Sequence, residues 1–227
     1  MSEQKIQCVG IIMDGNRRWA RAHNKPAFEG HNEGYKKLEE VTGWAREEKI
    51  LNVVAFAFST ENWHRAEDEV GYLLKLFRMV IETKTEKMIE GKVQVRFVGD
   101  RARFPEDIQK GMERMELATE KGHEITLHIA VSYGGRAEIL SATNVLLSEG
   151  KTTVTEEDFA KKLWTYPMPD PEIIIRTSGE KRLSGFLPWQ SVYSELFFVD
   201  AWWPDFLEED FKRIIYEFTA RERRMGK

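Results

Sequence analysis

Short runs of β-branched and aromatic residues alternate along this chain with longer amphipathic stretches. The short runs predict strands at residues 8–13, 53–58, 93–98, 125–131, 173–176 and 196–199. The longer stretches predict helices at residues 34–49, 67–90, 105–121, 136–149, 156–164 and 208–223. This alternation is typical of an α/β fold, with a central, mostly parallel six-stranded sheet flanked by helices. Because no repeat or linker interrupts it, we expect a single domain over residues 1–227.

Polar residues follow three of the predicted strands at the points where the strands end. The three segments are MDGNRRW at 13–19, STENWHR at 59–65 and RTSGEKRLS at 176–184. The carboxyl ends of parallel strands meet at one edge of a sheet, and ligands usually bind outside that edge. We therefore expect the three segments to form one site.

The first segment combines a turn residue, a carboxylate and two cations. Gly15 allows a tight turn through which backbone N–H groups approach an anion. Arg17 and Arg18 carry planar guanidinium groups that match phosphate oxygens. Asp14 is the kind of lone carboxylate that holds Mg²⁺ together with substrate phosphates. Spacing alone leaves an alternative open, in which Asp14 caps a helix and the arginines are solvated.

The other two segments carry similar groups. A capping box would explain Ser59 and Thr60 at the start of a helix, but it does not explain NWHR at 62–65. In the third segment, two arginines and a hydroxyl suit a diphosphate: Arg176, Arg182 and Ser184.

Two further residues are candidates on weaker grounds. His31 could meet an anion at the start of the first long helix, although a structural histidine is the more common case. Glu195 precedes the last predicted strand and is a second candidate metal ligand near the same edge.

Charge and cysteine content exclude several classes of protein. The formal net charge of -4 argues against a general nucleic-acid binder. Cys8 is the only cysteine, which excludes an internal disulfide and fits a cytoplasmic protein. The start of the chain has no signal-peptide pattern, and its longest apolar run, at 53–58, is far too short to span a bilayer. Peripheral contact with a membrane stays open.

Apolar residues on the middle strands and the second long helix have two interpretations. They form ordinary core, or some of them line an apolar cleft beside the charged segments, as a ligand with a hydrocarbon tail would require. The residues concerned are Phe56, Phe58, Met79, Val80, Phe97, Leu127 and Ile129.

Five motifs in order resemble those of the cis-prenyltransferases, typified by undecaprenyl and dehydrodolichyl diphosphate synthases. The motifs are MDGNRRW at 13–19, AFSTENWHR at 57–65, YGGR at 133–136, IRTSGEKRLS at 175–184 and WPDF at 203–206. The resemblance covers residues 10–226. It implies a Mg²⁺-dependent enzyme that joins isopentenyl diphosphate to an allylic diphosphate, giving a Z-configured product.

The resemblance also implies roles for individual residues at the allylic side. Asp14 is expected to bind Mg²⁺ and the allylic diphosphate. The remaining residues implied to hold this diphosphate are Gly15, Asn16, Arg18 and His31, and the same motif makes Arg17 and Trp19 candidate substrate-binding residues. The group implied to orient condensation and proton loss comprises Ser59, Asn62 and Arg65.

The isopentenyl diphosphate pocket is implied to contain Arg176, Arg182 and Ser184. Glu195 is the implied second metal ligand. The Arg-x-Gly tail, beginning at Arg224, is implied to reach the partner's diphosphate across a homodimer.

One departure from the family pattern leaves alternatives open. Ala27 stands where the family has an arginine that helps to hold the allylic diphosphate. The alternatives are a short-chain synthase, an irregular head-to-middle synthase of the lavandulyl type, and a noncatalytic partner subunit. Ala57, a small residue at the expected start of the product cavity, leaves room for elongation.

Overall fold

The structure, a computed structural model, describes residues 5–221 and contains one six-stranded sheet. Its strands are β1 (Cys8–Ile12), β2 (Asn52–Ser59), β3 (Val93–Val98), β4 (Ile125–Tyr133), β5 (Ile173–Arg176) and β6 (Glu195–Phe198). They lie in the order β3-β4-β2-β1-β5-β6, and every pair is parallel. The predicted fold class is thus confirmed, whereas the extent of the domain over residues 1–227 stays a prediction.

Seven α-helices accompany the sheet in the described part of the chain. They are α1 (Asn16–Ala22), α2 (Ala27–Glu47), α3 (Glu67–Glu90), α4 (Glu106–Ala118), α5 (Gly135–Ser148), α6 (Glu156–Ala160) and α7 (Glu208–Ala220). Short 3₁₀ helices occupy Thr60–His64, Arg101–Arg103 and Trp203–Asp205. Within residues 5–221, no helix combines the length and the apolar character that crossing a bilayer requires.

Both faces of the sheet are buried. Val9 and Ile11 of β1 belong to one hydrophobic cluster, while Cys8 and Ile12 belong to a second cluster. Successive side chains of a strand point to opposite faces, so the two clusters are separated by the sheet. All residues of β1 and β4 are buried, which explains why β1 is a continuous apolar run and why the polar residues of β4 are buried with it.

The start of α2 differs from the sequence-based expectation. The helix begins at Ala27 instead of residue 34, so it includes Gly30 and Gly34. These glycines allow α1 to approach closely: a Cβ at Gly30 would lie 2.1 Å from the carbonyl oxygen of Asn16. The short helix α1 was not predicted, because Asn16–Ala22 is only two turns long and mostly polar.

The two edge strands of the sheet differ in whether side chains of the same chain bind their free backbone N–H groups. At the β3 edge, side chains of α4 and of its C-cap residue accept the free backbone N–H groups: Val95 donates to Thr119 Oγ1 at 3.0 Å, and Phe97 donates to Glu116 Oε1 at 2.7 Å. The β6 edge has no further strand in the described residues. Only the β3 edge is therefore protected by its own chain in the way that exposed edges usually require.

Strand order also fixes where a ligand can bind. The chain passes from β1 to β2 on one side, whereas β5 leads to β6 on the other. β1 and β5 are therefore neighbours whose connections leave in opposite directions, which opens a crevice beyond their carboxyl ends. The first and third polar segments begin at this crevice.

We predict that Gly30→Ala lowers the free energy of unfolding by about 1–3 kcal/mol, because the new Cβ would collide with the Asn16 backbone. Gly43→Ala is the matched control in the same helix, since no atom lies within 4 Å of the added Cβ. It should be neutral or stabilising by up to about 1 kcal/mol. Urea unfolding followed by circular dichroism measures both, and equal effects would contradict the close-approach explanation.

Candidate active site

The Asp14 carboxylate and the Arg176 guanidinium form the centre of the strand-end site. Arg176 Nη2 donates to Asp14 Oδ2 at 2.8 Å, and Arg176 Nη1 donates to Ser184 Oγ at 2.9 Å. Arg176 is only 4% exposed, and a buried charge is tolerated only when it is paired and hydrogen-bonded. Thr177 adds a second link, because its hydroxyl accepts from the Asp14 backbone N–H and donates to the Asp14 carbonyl.

Asp14 is held as a carboxylate and does not cap the next helix, so the capping alternative is wrong. Gly15 occupies the N-cap position with a φ of 104°, and no side chain caps the helix. Arg18 Nη2 donates to Asp14 Oδ1 at 3.1 Å. Burial raises the pKa of Asp14, but hydrogen bonds and charges from Arg176 and Arg18 outweigh burial and hold the pKa below its usual value.

Two further carboxylates each pair with two arginines at the site. Glu180 accepts from Arg18 Nη1 at 3.3 Å and from Arg182 Nη1 at 2.5 Å. The other carboxylate is Glu69, whose partners are Arg65 at 2.7 Å and Arg17 at 3.5 Å. Each carboxylate bridges two guanidinium groups that an anionic ligand could bind instead.

Ser59 and Asn62 form a capping box, so the box also explains Asn62, contrary to the sequence-based expectation. Asn62 Oδ1 accepts from the Ser59 backbone N–H at 3.0 Å. The box fixes the turn after β2, so these two residues have a structural function as well as a place in the site.

His31 and Asn16 each bring an unpaired polar atom to the site. His31 Nε2 and Asn16 Oδ1 are buried without a hydrogen-bond partner among the described residues. Burial lowers the pKa of His31 to about 4, the charges of Arg65 and Arg17 act in the same direction, and Glu69 opposes them. The imidazole is therefore neutral at pH 7.

Two adjoining polar cavities occupy the carboxyl edge of the sheet. The first, which we call the α1 cavity, measures about 340 Å³ and is lined by Met13, Asp14, Gly15, Asn16, Arg17, Arg18, Arg21, His31 and Arg65. The second, the β5 cavity, measures about 320 Å³. Its polar lining consists of Asp14, Asn16, His31, Ser59, Asn62, Arg65, Arg176 and Ser184. The structure therefore brings the three polar segments together, as the sequence predicted.

A third, apolar cavity of about 90 Å³ leads from these polar cavities into the fold. It shares Met13, Asn16, His31, Ala57 and Leu73 with the β5 cavity. Four of the apolar residues that were predicted to belong either to the core or to a cleft line this cavity: Val80, Phe97, Leu127 and Ile129. The others do not: Phe56 and Phe58 pack in the two core clusters, and Met79 is exposed.

Four predicted site residues line neither polar cavity or lie outside the described chain, and one of them is Arg182, which pairs with Glu180 instead. Trp19 lines neither polar cavity; its indole donates to Asp205 Oδ1 at 2.7 Å and attaches α1 to the turn at Trp203–Asp205. The expectation that Glu195 lies at the same edge as Asp14 is wrong, as the strand register shows. Arg224 lies outside the described residues, so its role stays a prediction.

Register explains the position of Glu195. It opens β6 and pairs with Ile173, three residues before Arg176 at the carboxyl edge. At the usual rise per residue, three residues correspond to about 10 Å, far beyond the ~2.1 Å of a metal–oxygen bond. In this chain, Glu195 Oε2 instead accepts from Arg221 at 2.7 Å.

The chain is similar to several known proteins. The family model described as "Putative undecaprenyl diphosphate synthase" matches residues 12–226. The isoprenyl transferase of Fusobacterium nucleatum is 44% identical over 96% of this chain and 94% of that protein. The tritrans,polycis-undecaprenyl-diphosphate synthase (geranylgeranyl-diphosphate specific) of Pyrococcus horikoshii is 45% identical, over 96% of this chain and 86% of that protein.

The chain belongs to the cis-prenyltransferase family. As a cis-prenyltransferase, it is an isoprenyl transferase that condenses isopentenyl diphosphate with an allylic diphosphate. Among solved structures, lavandulyl diphosphate synthase of Lavandula x intermedia, solved with dimethylallyl diphosphate, has a TM-score of 0.92 and 27% identity. That likeness covers 98% of both chains.

Sequence reasoning missed four polar residues of this cis-prenyltransferase site. Arg21 lies one helical turn after Arg17, and the i,i+4 spacing on α1 could have indicated that both face the same cavity. Glu69 follows Arg65 by four residues and was detectable by the same rule. The other two, which have no comparable spacing signal, are Thr177 and Glu180.

We predict that His31→Gln reduces the pH dependence of stability. The folded pKa of about 4 lies below the ordinary value of 6.5, so protonation favours the unfolded chain and stability is lost as pH falls between these values. From pH 7 to pH 5, wild type should lose about 2 kcal/mol more than the variant. Urea unfolding at the two pH values measures the difference, and parallel losses would exclude this effect of His31.

Proposed function

We propose that this cis-prenyltransferase requires Mg²⁺ and binds its two diphosphates in the two polar cavities. The observation that carries the proposal is a set of buried polar atoms without partners among the described residues. Three of them belong to residues that line the cavities: Asn16 Oδ1, His31 Nε2 and Arg176 Nε. Buried polar atoms are rarely left unpaired in native proteins. Ligand atoms or bound water would satisfy them.

The α1 cavity is the proposed site of the allylic diphosphate. Gly15 and the N-terminal turn of α1 present backbone N–H groups, and Arg17 and Arg18 supply guanidinium donors. Ala27 stands where an arginine was expected, and we propose that Arg21, in the same cavity, supplies the missing cation. The hydrocarbon tail would enter the apolar cavity.

The β5 cavity is the proposed site of isopentenyl diphosphate. Arg176 and Ser184 line it, and Arg182 lies on the loop that Arg176 holds through the Arg182 carbonyl. Release of Arg182 from Glu180 would give the diphosphate a second guanidinium. Ser59 and Asn62 also line the β5 cavity, where we propose that they orient the condensing carbon atoms.

Asp14 fits a metal site of the kind that Mg²⁺ forms with phosphate substrates. One carboxylate is enough when substrate oxygens and water complete the coordination. Asp14 is held ionised and lines both cavities, so it could bind a metal shared with a diphosphate. Mg²⁺ would neutralise charge that develops on the departing diphosphate. We do not include Glu195 of the same subunit, because it lies at the opposite edge.

The donors of this chain supply the rest of the stabilisation. As the allylic C–O bond breaks, negative charge grows on the diphosphate, and fixed N–H and guanidinium donors stabilise it without reorganising. Two separate diphosphate sites hold the reacting carbons in orientation, which removes much of the entropic barrier. The neutral imidazole of His31 can donate or accept one hydrogen bond there without adding charge.

We predict that purified protein, incubated with Mg²⁺, labelled isopentenyl diphosphate and an allylic diphosphate, forms linear Z-configured chains. Asp14→Asn should lower kcat at least a hundredfold, about 3 kcal/mol, because the metal-binding charge is lost. Dimethylallyl, geranyl and farnesyl diphosphates are each tested, with product length and double-bond geometry resolved by chromatography and NMR. Chelation of Mg²⁺ should also stop turnover.

Asp107→Asn is the matched control, since Asp107 is 57% exposed and pairs with Arg78 on the surface. It should keep wild-type turnover. Near-wild-type turnover of Asp14→Asn would refute the role of Asp14, and branched products from dimethylallyl diphosphate alone would identify an irregular synthase. No product from any combination would favour a noncatalytic partner subunit.

We also propose that the enzyme is a homodimer whose interface includes the β6 edge. Val192 is 71% exposed and Leu196 is 43% exposed on this side of the sheet. An apolar strand edge of this kind is a template for association. The proposed tail around Arg224 would then have a partner subunit to reach, although it lies outside the described residues.

We predict that Val192→Asp combined with Leu196→Asp converts the dimer to a monomer, because desolvating two carboxylates opposes association. Leu117→Asp is the control: Leu117 is 72% exposed on α4, beside the β3 edge. Analytical ultracentrifugation gives the mass of each variant. A monomeric wild type would refute the homodimer, and a dimeric double variant would place the interface elsewhere.

Location in the cell is a separate proposal. We propose a cytoplasmic enzyme with peripheral contact to the membrane, since a long prenyl product is a lipid. Fractionation of cells into soluble and membrane pools tests it.

A further inference from the structure

A polar cluster forms part of the wall of the apolar cavity. Tyr35 and Glu39 of α2 line the cavity beyond the Asn16 and His31 end that it shares with the β5 cavity, where the other lining residues are apolar. Tyr35 Oη donates to Glu39 Oε1 at 2.9 Å, and Lys87 Nζ of α3 donates to Glu39 Oε2 at 2.8 Å. We call these three residues the Glu39 cluster.

The cluster closes the gap between α2 and α3. The side chain of Glu39 is 15% exposed and that of Lys87 is 59% exposed, so the ion pair runs from the cavity wall to the surface. Lys84 of α3 lies over the Tyr35 ring, with Nζ 5.8 Å from its centroid. Polar contacts therefore join the two helices where the apolar cavity would otherwise open to solvent.

The position of the cluster along α2 relates it to a growing chain. His31, Tyr35 and Glu39 are spaced by four residues, so they lie on one face of the helix. Glu39 is eight residues beyond His31, about 12 Å along the axis. An extended peptide residue spans about 3.5 Å over three main-chain bonds. An isoprene unit adds four main-chain bonds, so it spans roughly 5 Å when extended. The third unit from the diphosphate therefore reaches Glu39.

A hydrocarbon chain at this point meets groups that it cannot replace. This cavity is narrow, at about 90 Å³ against about 340 and 320 Å³ for the two polar cavities, so a lengthening chain has to displace wall side chains. Aliphatic side chains can rearrange around a hydrocarbon at little cost. Burying an isoprene unit against Glu39 would separate a carboxylate from its donors, which is strongly unfavourable.

We propose that the Glu39 cluster limits product length by closing the far part of the apolar cavity to the growing chain. This inference rests on the proposed function, since the apolar cavity must hold the prenyl tail. It assigns a specificity-determining role to three residues that belong to neither diphosphate site.

Product length in matched variants tests the proposal. Glu39→Ala should move the main product to longer chains by at least one C5 unit, and Lys87→Ala should do so to a smaller extent. Glu40→Ala is the control, because Glu40 is the next residue on α2, pairs with Lys37 and is 52% exposed. It should leave the distribution unchanged. Products are resolved after incubation with the same allylic diphosphate and excess isopentenyl diphosphate.

Each outcome separates this proposal from the proposed function. Active Glu39→Ala and Lys87→Ala variants with wild-type product lengths would overturn it, and so would an equal shift in Glu40→Ala. If Glu39→Ala does not fold, two milder variants test the proposal in its place. Glu39→Gln keeps the side-chain volume, and Lys87→Ala changes an exposed residue. Absence of product from wild type would instead refute the proposed function.

Discussion

Pairing of the buried Arg176 guanidinium is the constraint on which the site depends. An arginine that is 4% exposed must find partners for its charge, and Asp14, Ser184 and the Arg182 carbonyl supply them. These partners come from two strand-end segments that are far apart in the sequence. The interaction therefore orders the two polar cavities where the connections of β1 and β5 leave in opposite directions.

Helix α2 connects that polar centre with the apolar interior. Its first turns are pressed against α1 through Gly30 and Gly34, and the Trp203 indole donates to the Gly34 carbonyl at 2.7 Å. The same helix then forms the wall of the apolar cavity. One rigid element thus sets both the position of His31 and the direction in which a hydrocarbon tail would extend. A shift of α1 would therefore move α2 and change the contacts of both the diphosphate and the tail.

Sequence predicted the sheet and the meeting of the three polar segments, because both follow from local patterns. Strand alternation, β-branched runs and polar strand ends are all visible within a few residues. The sequence-based expectation placed Glu195 at the wrong edge, although Glu195 was predicted to precede its strand, because the start of a parallel strand lies at the edge opposite to the carboxyl ends. The early start of α2 was not predicted because Gly30 has a low helix propensity. The reason for a glycine there, its close contact with the Asn16 backbone, is visible only in the structure.

Strand β1 also dictates when the site can form during synthesis. Its neighbour β5, and the Thr177 hydroxyl that meets Asp14, lie 163 residues later in the chain. A nascent chain can pair β1 with β2 early, but one side of β1 stays open until the last quarter of the protein has emerged. Contacts between such distant residues slow folding and expose apolar strands to aggregation. The nascent chain should therefore become able to bind a diphosphate only late in synthesis, when the sheet is complete.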